Sequence, residues 1–379
     1  MKVLRSCVVG IGFIGAAHIE ALHRLPNVEV VALAEQKGWE EKARAYGVPR
    51  GYQDYKEMIE TEKPDVVHVC TPNSLHFEVA MFAMEHGCAV VLEKPLTMDV
   101  KQAEALVEYA KAHDIVTGVN FNCRFYPLIV QMKEMIRKGD LGDIFTINGV
   151  YQQDWLLLDT DYSWRVEPEI SGESRTFGDI GSHWIDMVES VTGLRVTELL
   201  ADQSIVHKTR KKPTRPVDTY SGMALRPEDY EEVPIRTEDY MTVLFHFDNG
   251  AHGSVTLSQV MAGRKNQIRV EIAGSKAALC WDSENSNALW MGRRDGYNCE
   301  ITKDPSLLEP AAARTSSYPG GHVEGFPDTF KQNFTAIYGA IADGDTGKRD
   351  FARFEDGLRE MRILEAVVKS VRTNGWVRL

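Results

Sequence analysis

The sequence predicts an α/β protein of two domains. A doubly wound parallel sheet comes first, followed by an α/β domain with a large, mostly antiparallel open sheet. Three observations predict it. The chain has 379 residues, long for one hydrophobic core and natural for two. Over roughly its first 120 residues, short apolar strands alternate with helical patterns, as a parallel sheet with helical crossovers requires. Beyond residue 123, longer strands joined by hairpin signals suggest an antiparallel sheet half covered by helices. The boundaries read as 1–122 and 123–379, with the last helix free to return to the first domain.

In the first domain, the run Val8-Val9-Gly10-Ile11-Gly12-Phe13-Ile14-Gly15 takes an apolar strand directly into Gly-x-Gly-x-x-Gly. A helical pattern follows from Ala16 to Leu25, and Val28 to Ala34 is a second strand. Trp39 to Tyr46 and Tyr55 to Thr61 read as helices. Asp65 to Cys70 is a buried strand, with a turn at Thr71-Pro72-Asn73 and a helix from His76 to Glu85. Ala89 to Leu92 is the fourth strand, Lys101 to His113 an amphipathic helix, and Val116 to Val119 the fifth strand.

In the second domain, Tyr126 to Lys138 is a helix. Strands are expected at Phe145 to Tyr151, Val196 to Ile205, Tyr240 to Phe247, Ala251 to Gln259 and Gln267 to Ala273. Asp248-Asn249-Gly250 is a hairpin turn between two alternating runs. Helices Gly178 to Val191, Asp328 to Ala342 and Phe354 to Val371 are expected to cover one face of this sheet. The other face is then open to a second copy, as a homodimer or homotetramer. Residues 207–238 and 303–322 are polar and Pro-containing, and read as loops or lids.

The net charge of −12 argues against nucleic acid as a partner. The one basic run, His207 to Arg215, reads as a solvated loop. No apolar run is long enough for a bilayer and the N-terminus is a structural strand, so neither membrane insertion nor secretion is expected. The six cysteines contain no Cys-x-x-Cys pair and read as reduced core thiols of a cytoplasmic protein. No metal is expected, because no third ligand stands at a recognisable spacing from Asp179 and His183.

The glycine run carries the strongest chemistry. Gly10 makes the tight turn, Gly12 admits a pyrophosphate to the backbone, and Gly15 lets helix and strand pack closely. The helix N-terminus adds N–H donors and a partial positive charge. Glu35 ends the second strand, where an acid accepts from the ribose hydroxyls and repels a 2′-phosphate. NAD is therefore expected over NADP, with Lys37 near enough to soften the preference. Ligands of such sheets lie beyond the carboxyl ends of the strands, which sets Gly10, Glu35, Thr71, Glu93 and Asn120 along one rim.

Three further segments stand out. Glu93-Lys94-Pro95 puts a lysine at a strand end, where it is either rim machinery or an ordinary surface lysine. Asp179 and His183 share a helix face, although an acid at a helix start is also a favoured cap. Trp164-Arg165 suits a flat ring beside a phosphate, or equally an interface anchor.

Together these segments resemble the Gfo/Idh/MocA oxidoreductases along essentially the whole chain. The resemblance is carried by the glycine fingerprint, Cys70-Thr71-Pro72-Asn73-Ser74-Leu75-His76, Glu93-Lys94-Pro95, Asn120 with Arg124-Phe125, Trp164-Arg165, and Asp179 with His183. It implies a Rossmann domain followed by an α/β domain whose open sheet often mediates oligomers. It also implies Lys94 and His183 as the catalytic pair, assisted by Asp179. Cofactor contacts implied beside the glycines, Phe13, Ile14 and Glu35 are Thr71, Pro72, Asn73, His76, Glu93, Lys94, Asn120, Trp164 and Arg165. The loop Tyr318 to Gly325 resembles one that sugar-active members place near substrate.

The expected reaction is hydride transfer between a secondary alcohol of a sugar, glycoside or cyclitol and nicotinamide. His183 accepts the hydroxyl proton and Lys94 stabilises the developing alkoxide, although a desolvated Lys94 serves equally as the base. Arg124, Asp154, Arg165, Asp179, His183 and His322 are candidates for reading hydroxyls, with Trp155 stacking on a sugar ring. Two alternatives stand beside this. One is a glycoside-cleaving enzyme that retains NAD and oxidises only transiently; the other is a non-catalytic NAD-binding regulator.

Overall fold

The computed structural model describes residues 3–214, 226–344, 347 and 349–379. Arg215, the end of the basic run, and much of the 207–238 segment's middle lie outside the described residues. The chain forms two compact units. One holds the residues up to Phe125 together with Phe326–Met361; the other holds Tyr126–Gly325 and Arg362–Leu379.

The first unit is built on six parallel strands: β1 (Leu4–Val9), β2 (Val28–Ala34), β3 (Arg50–Tyr52), β4 (Val66–Val69), β5 (Ala89–Leu92) and β6 (Thr117–Val119). Their order is β3-β2-β1-β4-β5-β6, so the winding reverses between β1 and β4. The connecting helices are α1 (Phe13–His23), α2 (Trp39–Ala45), α3 (Tyr55–Glu62), α4 (His76–Glu85) and α5 (Val100–Ala112). Strand β3 is absent from the sequence reading because three residues with one glycine show no apolar alternation.

Alternation along the strands sorts two cores. Cys7, Val9, Val67, Val69, Val90 and Leu92 bury against one layer that includes Val79, Ala103 and Leu106. Val8, Leu33, Val66 and Val91 bury on the other side, with Ile19 and Leu22 of α1 and with Phe330, Phe334 and Ile337. Those last three belong to the helix Phe326–Asp343, which is therefore part of the first unit and not a cover for the second sheet. Its aromatic stripe fits the β1–β4 surface, and Gly118 of β6 makes room for it: a Cβ there would sit 2.6 Å from Ile337.

The second unit carries α6 (Pro127–Arg137), β7 (Ile144–Gln152), α7 (Pro168–Ser171), α8 (Ser182–Thr192) and β8 (Val196–Ser204). Then follow β9 (Thr209–Pro213), β10 (Tyr230–Pro234), β11 (Tyr240–Phe247), β12 (His252–Ser258), β13 (Gln267–Gly274), β14 (Ala278–Asp282), β15 (Ala288–Gly292), β16 (Cys299–Thr302), α9 (Pro310–Thr315) and β17 (Val377–Arg378). Nine strands form one sheet in the order β16-β15-β14-β13-β7-β12-β11-β8-β17. All neighbours are antiparallel except β7 and β12. Trp184 of α8 lies flush on this sheet over Gly149, where a Cβ would stand 2.4 Å from its indole nitrogen. That nitrogen donates to the Arg269 carbonyl at 3.0 Å. Phe145, Leu244 and Trp290, by contrast, are exposed within the single chain.

Three readings are corrected here. The basic run is not a solvated loop, because β9 and β10 pair as antiparallel strands and Arg210 is buried. Its guanidinium donates to the carbonyls of Leu156, Leu158 and Asp161 and to Asp239, which offsets part of the desolvation cost of the charge; burial still lowers its pKa. Segment 303–322 contains α9 and a buried lysine, Lys303, paired with Glu324. The cysteines are not all core thiols: Cys299 is exposed and Cys280 half-buried.

Phe334 tests the assignment of the late helix. Phe334→Ala is expected to destabilise the protein by about 3–5 kcal/mol in denaturant unfolding. A loss below about 1 kcal/mol would place that side chain outside a packed core.

Candidate active site

In the first unit, the glycine turn stands at the switch point of the sheet. Gly10 has φ +87°, and a Cβ there would lie 2.8 Å from the Cys70 backbone, so only glycine lets the turns after β1 and β4 meet. A Cβ on Gly15 would lie 2.0 Å from the Gly10 carbonyl, whereas at Gly12 it would meet nothing within 4 Å. Gly12 is the N-cap of α1, which has no side-chain cap and no acid in its first turn. Phe13 is exposed beside it and Ile14 packs on the core below. An open glycine at an uncapped helix N-terminus fits a pyrophosphate.

Glu35 follows β2 and turns its carboxylate into this loop. Oε2 accepts from the Ile11 N–H at 2.9 Å and from Lys42 Nζ at 3.0 Å, and Oε1 accepts from the Gln36 N–H at 2.9 Å. The cation beside the acid is thus Lys42 of α2, which also donates to the Ile11 carbonyl at 2.8 Å.

His76 lies between the turns after β4 and β5, and as a neutral imidazole donates to one of them. Its Nδ1 lies 2.8 Å from the Pro95 carbonyl and its Nε2 3.0 Å from the Thr71 carbonyl. Burial pulls this imidazole below its ordinary pKa, and the two carbonyls recover only part of the shift. Asn73 is buried in the same turn after Pro72, and the Thr71 hydroxyl is buried there with no hydrogen-bond partner among the described residues.

Glu93, after β5, is buried. Oε1 takes His18 Nε2 at 2.9 Å and Asn120 Nδ2 at 2.5 Å, while Oε2 takes the Lys94 N–H at 3.3 Å. Burial pushes this carboxyl up, but the His18 hydrogen bond, the Lys94 charge and the Asn120 amide outweigh it and hold it well below the usual carboxylate range. Asn120 in turn accepts from Asn333 Nδ2 at 2.9 Å. Arg124 pairs with Asp356 at 3.4 Å, also within this unit.

In the second unit, Phe177–Gly181 is a π-helical turn feeding α8. Asp179 sits in it and His183 in the first turn of α8. Such turns widen a helix and recur at functional sites. Asp179 accepts from Gln259 Nε2 at 2.7 Å and lies 3.5 Å from Arg165 Nε. The Arg165 guanidinium stacks 4.5 Å over the Trp164 ring. His183 is buried, with the Tyr151 ring 6.4 Å away. Gln153 accepts from the Trp155 indole at 2.9 Å. Trp155 otherwise packs on a small cluster of Leu156, Val166 and Ile235, the ordinary fate of a tryptophan.

Asp154 is held by Lys265 Nζ at 2.6 Å and the Gly263 N–H at 3.1 Å. His322 is exposed at the tip of a loop whose base is the buried Lys303–Glu324 pair. The structure thus brings together Asp179, Arg165, Trp164 and Gln259 in one unit, and Gly10, Glu35, Thr71, Glu93 and Lys94 along one rim in the other.

The sequence reading missed His18, His68, Tyr338 and Gln259. A signal existed for the first two: His68 interrupts an otherwise apolar strand, and His18 falls on the core face of α1. A polar group at a buried position announces a partner. Tyr338 and Gln259 lie too far along the chain for spacing to show what they reach.

A switch-point glycine turn, an open helix N-terminus and an acid closing β2 define a dinucleotide-binding enzyme of the Rossmann class. Residues 4–121 match the family model described as an oxidoreductase family with an NAD-binding Rossmann fold, and residues 129–280 match the GFO/IDH/MocA C-terminal domain. The chain belongs to the Gfo/Idh/MocA oxidoreductase family.

It is 29% identical to a levoglucosan dehydrogenase of Pseudarthrobacter phenanthrenivorans, an alignment covering 100% of this chain and 98% of the relative. It is 26% identical to a myo-inositol 2-dehydrogenase of Thermotoga maritima, covering 99% and 98%. A solved levoglucosan dehydrogenase in complex with NADH and L-sorbose superimposes with a TM-score of 0.89 at 27% identity, covering 100% of this chain and 99% of that one. Among the described residues, no helix is long and apolar enough to cross a membrane, and no cluster of three or more His, Cys, Asp or Glu is placed to hold a metal.

The buried titrating groups make stability pH-dependent with a definite sign. Burial and the neighbouring His18 hold His68 well below its ordinary value, and His76 is lowered too, so the unfolded chain binds protons there that the folded one refuses. Their contribution is complete above about pH 6.5 and is lost as pH falls. Glu93 adds to the loss below about pH 4.5, because its folded value is depressed. Unfolding free energy by urea titration should fall by at least about 1 kcal/mol from pH 7 to 5. A flat or rising profile would contradict this electrostatic assignment.

Proposed function

We propose that this chain is an NAD-dependent dehydrogenase that moves hydride between a secondary alcohol of a sugar, glycoside or cyclitol and nicotinamide. The observation that carries the reading is the rim of the first unit, where Lys94 directly follows an anchored, ionised Glu93 on the same edge as the glycine turn and Glu35. The named relatives, a levoglucosan dehydrogenase and a myo-inositol 2-dehydrogenase, support the substrate class.

Bound NAD supplies the hydride acceptor. His183 takes the hydroxyl proton, and Lys94 donates to the same oxygen as alkoxide charge develops. Asp179, tied to Gln259 and Arg165, holds the polar surroundings of His183 or reads a neighbouring hydroxyl. Trp164, Arg165, Thr71 and Asn73 would hold the cofactor, with Asn120 buried behind the rim on Glu93, and Arg124, Asp154 and His322 are candidates for outlying hydroxyls. Glu35 receives the ribose hydroxyls and selects NAD over NADP. The protein works in the cytoplasm as a homodimer or homotetramer through the open face of the second sheet, where Phe145, Leu244 and Trp290 are exposed.

The test is absorbance at 340 nm with NAD against cyclitols, aldoses, amino sugars and simple glycosides. NADH should form with at least one class, and Lys94→Ala and His183→Ala should each slow it by about 10²-fold or more. A cleaved glycoside without net NADH would instead establish the transient-oxidation chemistry. NAD binding with no product from any class would support the regulator. Cofactor choice has its own test: Glu35→Ser should lower kcat/KM for NAD about tenfold or more and raise it for NADP, because it releases Lys42 from its pairing with Glu35. An unchanged NAD/NADP ratio would remove Glu35 from that role.

A further inference from the structure

Behind Glu93 runs a buried chain of hydrogen-bonding groups within the first unit. His18 Nδ1 lies 2.8 Å from His68 Nδ1, and His68 Nε2 lies 2.9 Å from the Tyr338 hydroxyl. That hydroxyl hydrogen-bonds to Ser6 Oγ. His18, His68 and Ser6 are fully buried, and Tyr338 nearly so. Phe334 packs its ring 4.8 Å from both imidazoles. The members come from α1, β4, β1 and the helix Phe326–Asp343.

Hydrogen-bond chemistry gives the chain a direction. An ionised carboxylate only accepts, so His18 donates through Nε2. With one proton on each imidazole, His18 Nδ1 then accepts from His68 Nδ1, His68 Nε2 accepts from Tyr338, and Tyr338 accepts from Ser6. Every buried group is satisfied in this one order, and the chain ends in the core at Ser6 without reaching solvent. It is a holding device and not a path for protons to bulk water.

We propose that His18 and His68 are positioning residues for Glu93, with His68 forcing the Nε2–H tautomer on His18 so that the carboxylate stays fixed beneath the Lys94 N–H. The assignment rests on the proposed role of Lys94 in hydride transfer. The other ionisable groups facing Glu93 are Lys94 itself, His76 and Cys70. His18 Nε2 lies 2.9 Å from Oε1, so this imidazole holds the same oxygen that Asn120 Nδ2 reaches at 2.5 Å.

Two readouts decide it without any substrate. Histidine ¹⁵N NMR of the full-length protein should find His68 protonated at Nδ1 and bare at Nε2, with His18 protonated at Nε2. In a ¹³C carboxyl titration, Glu93, identified by its loss in Glu93→Gln, should not titrate above pH 4 in the wild type. In His68→Asn its midpoint should rise by about one unit or more. Where His68→Asn fails to fold, Tyr338→Phe keeps the ring and removes only the hydroxyl, and should move the midpoint the same way by less.

A His68 proton on Nε2, or an unmoved Glu93 midpoint in a folded variant, overturns the proposal. Turnover separates this from the functional reading. With an alcohol oxidised by the wild type, the His68 variant should lose about tenfold or more in kcat while its NAD affinity stays within about twofold, and an unchanged kcat also overturns the proposal. If the wild type oxidises no alcohol, the dehydrogenase reading fails, and the NMR readouts still decide whether the histidines position Glu93.

Discussion

The first unit is organised around one buried anion. A buried carboxylate at the end of an interior strand has little water to share its charge, and an unpaired one would be among the costliest groups a core can hold. Glu93 is tolerated because three elements converge on it: His18 from α1, Asn120 after β6, and the backbone of Lys94. Each partner needs its own support. His18 leans on His68, and Asn120 leans on Asn333 of the late helix. That helix therefore belongs to the dinucleotide-binding unit for a polar reason as well as through its phenylalanines. A segment more than two hundred residues away in sequence completes the surroundings of the rim that carries Glu93.

The second unit repeats the principle with different residues. Asp239 and Glu238 are buried beside Arg175 and Arg210, and the four groups tie together the turn before Asp179, the segment 156–161 and the hairpin of β9 and β10. Burial pushes the Glu238 carboxyl up, whereas the two guanidiniums hold Asp239 down. The π-helical turn that carries Asp179 starts directly after Arg175 and Thr176, both bonded to the Glu238 carbonyl. Ion pairs of this kind contribute modest net stability but fix geometry, since losing one partner strands the other charge. In both units, buried charge with opposite or hydrogen-bonding partners stands immediately behind a residue proposed to act on the reacting alcohol or on its surroundings.

Much of this was legible in the sequence, and the boundary follows the range of the interactions. The glycine turn, Glu35 and the strand–helix alternation are local patterns, and the structure reproduces them within a few residues. The apolar face that runs from Ile180 of the preceding turn into α8, with Trp184, Met187, Val188 and Val191 also buried, was equally readable. The widened turn at Phe177–Gly181 was not, because the sequence shows a continuous helical period there. Lys37 was named as the cation near Glu35, and Lys42 holds that place: one helical turn into α2 brings it back over the loop. The unit membership of Phe326–Asp343 was invisible, since an amphipathic helix shows which face it buries but not which sheet it buries against.

The most direct measurement follows the hydrogen itself. The best alcohol of the oxidation screen would be supplied with deuterium on its carbinol carbon, and the cofactor recovered after one turnover would be weighed by mass spectrometry. Direct hydride transfer places one deuterium on the nicotinamide ring and gives the corresponding ketone in equal amount. Reduced cofactor without deuterium, or label released to water, would contradict direct hydride transfer.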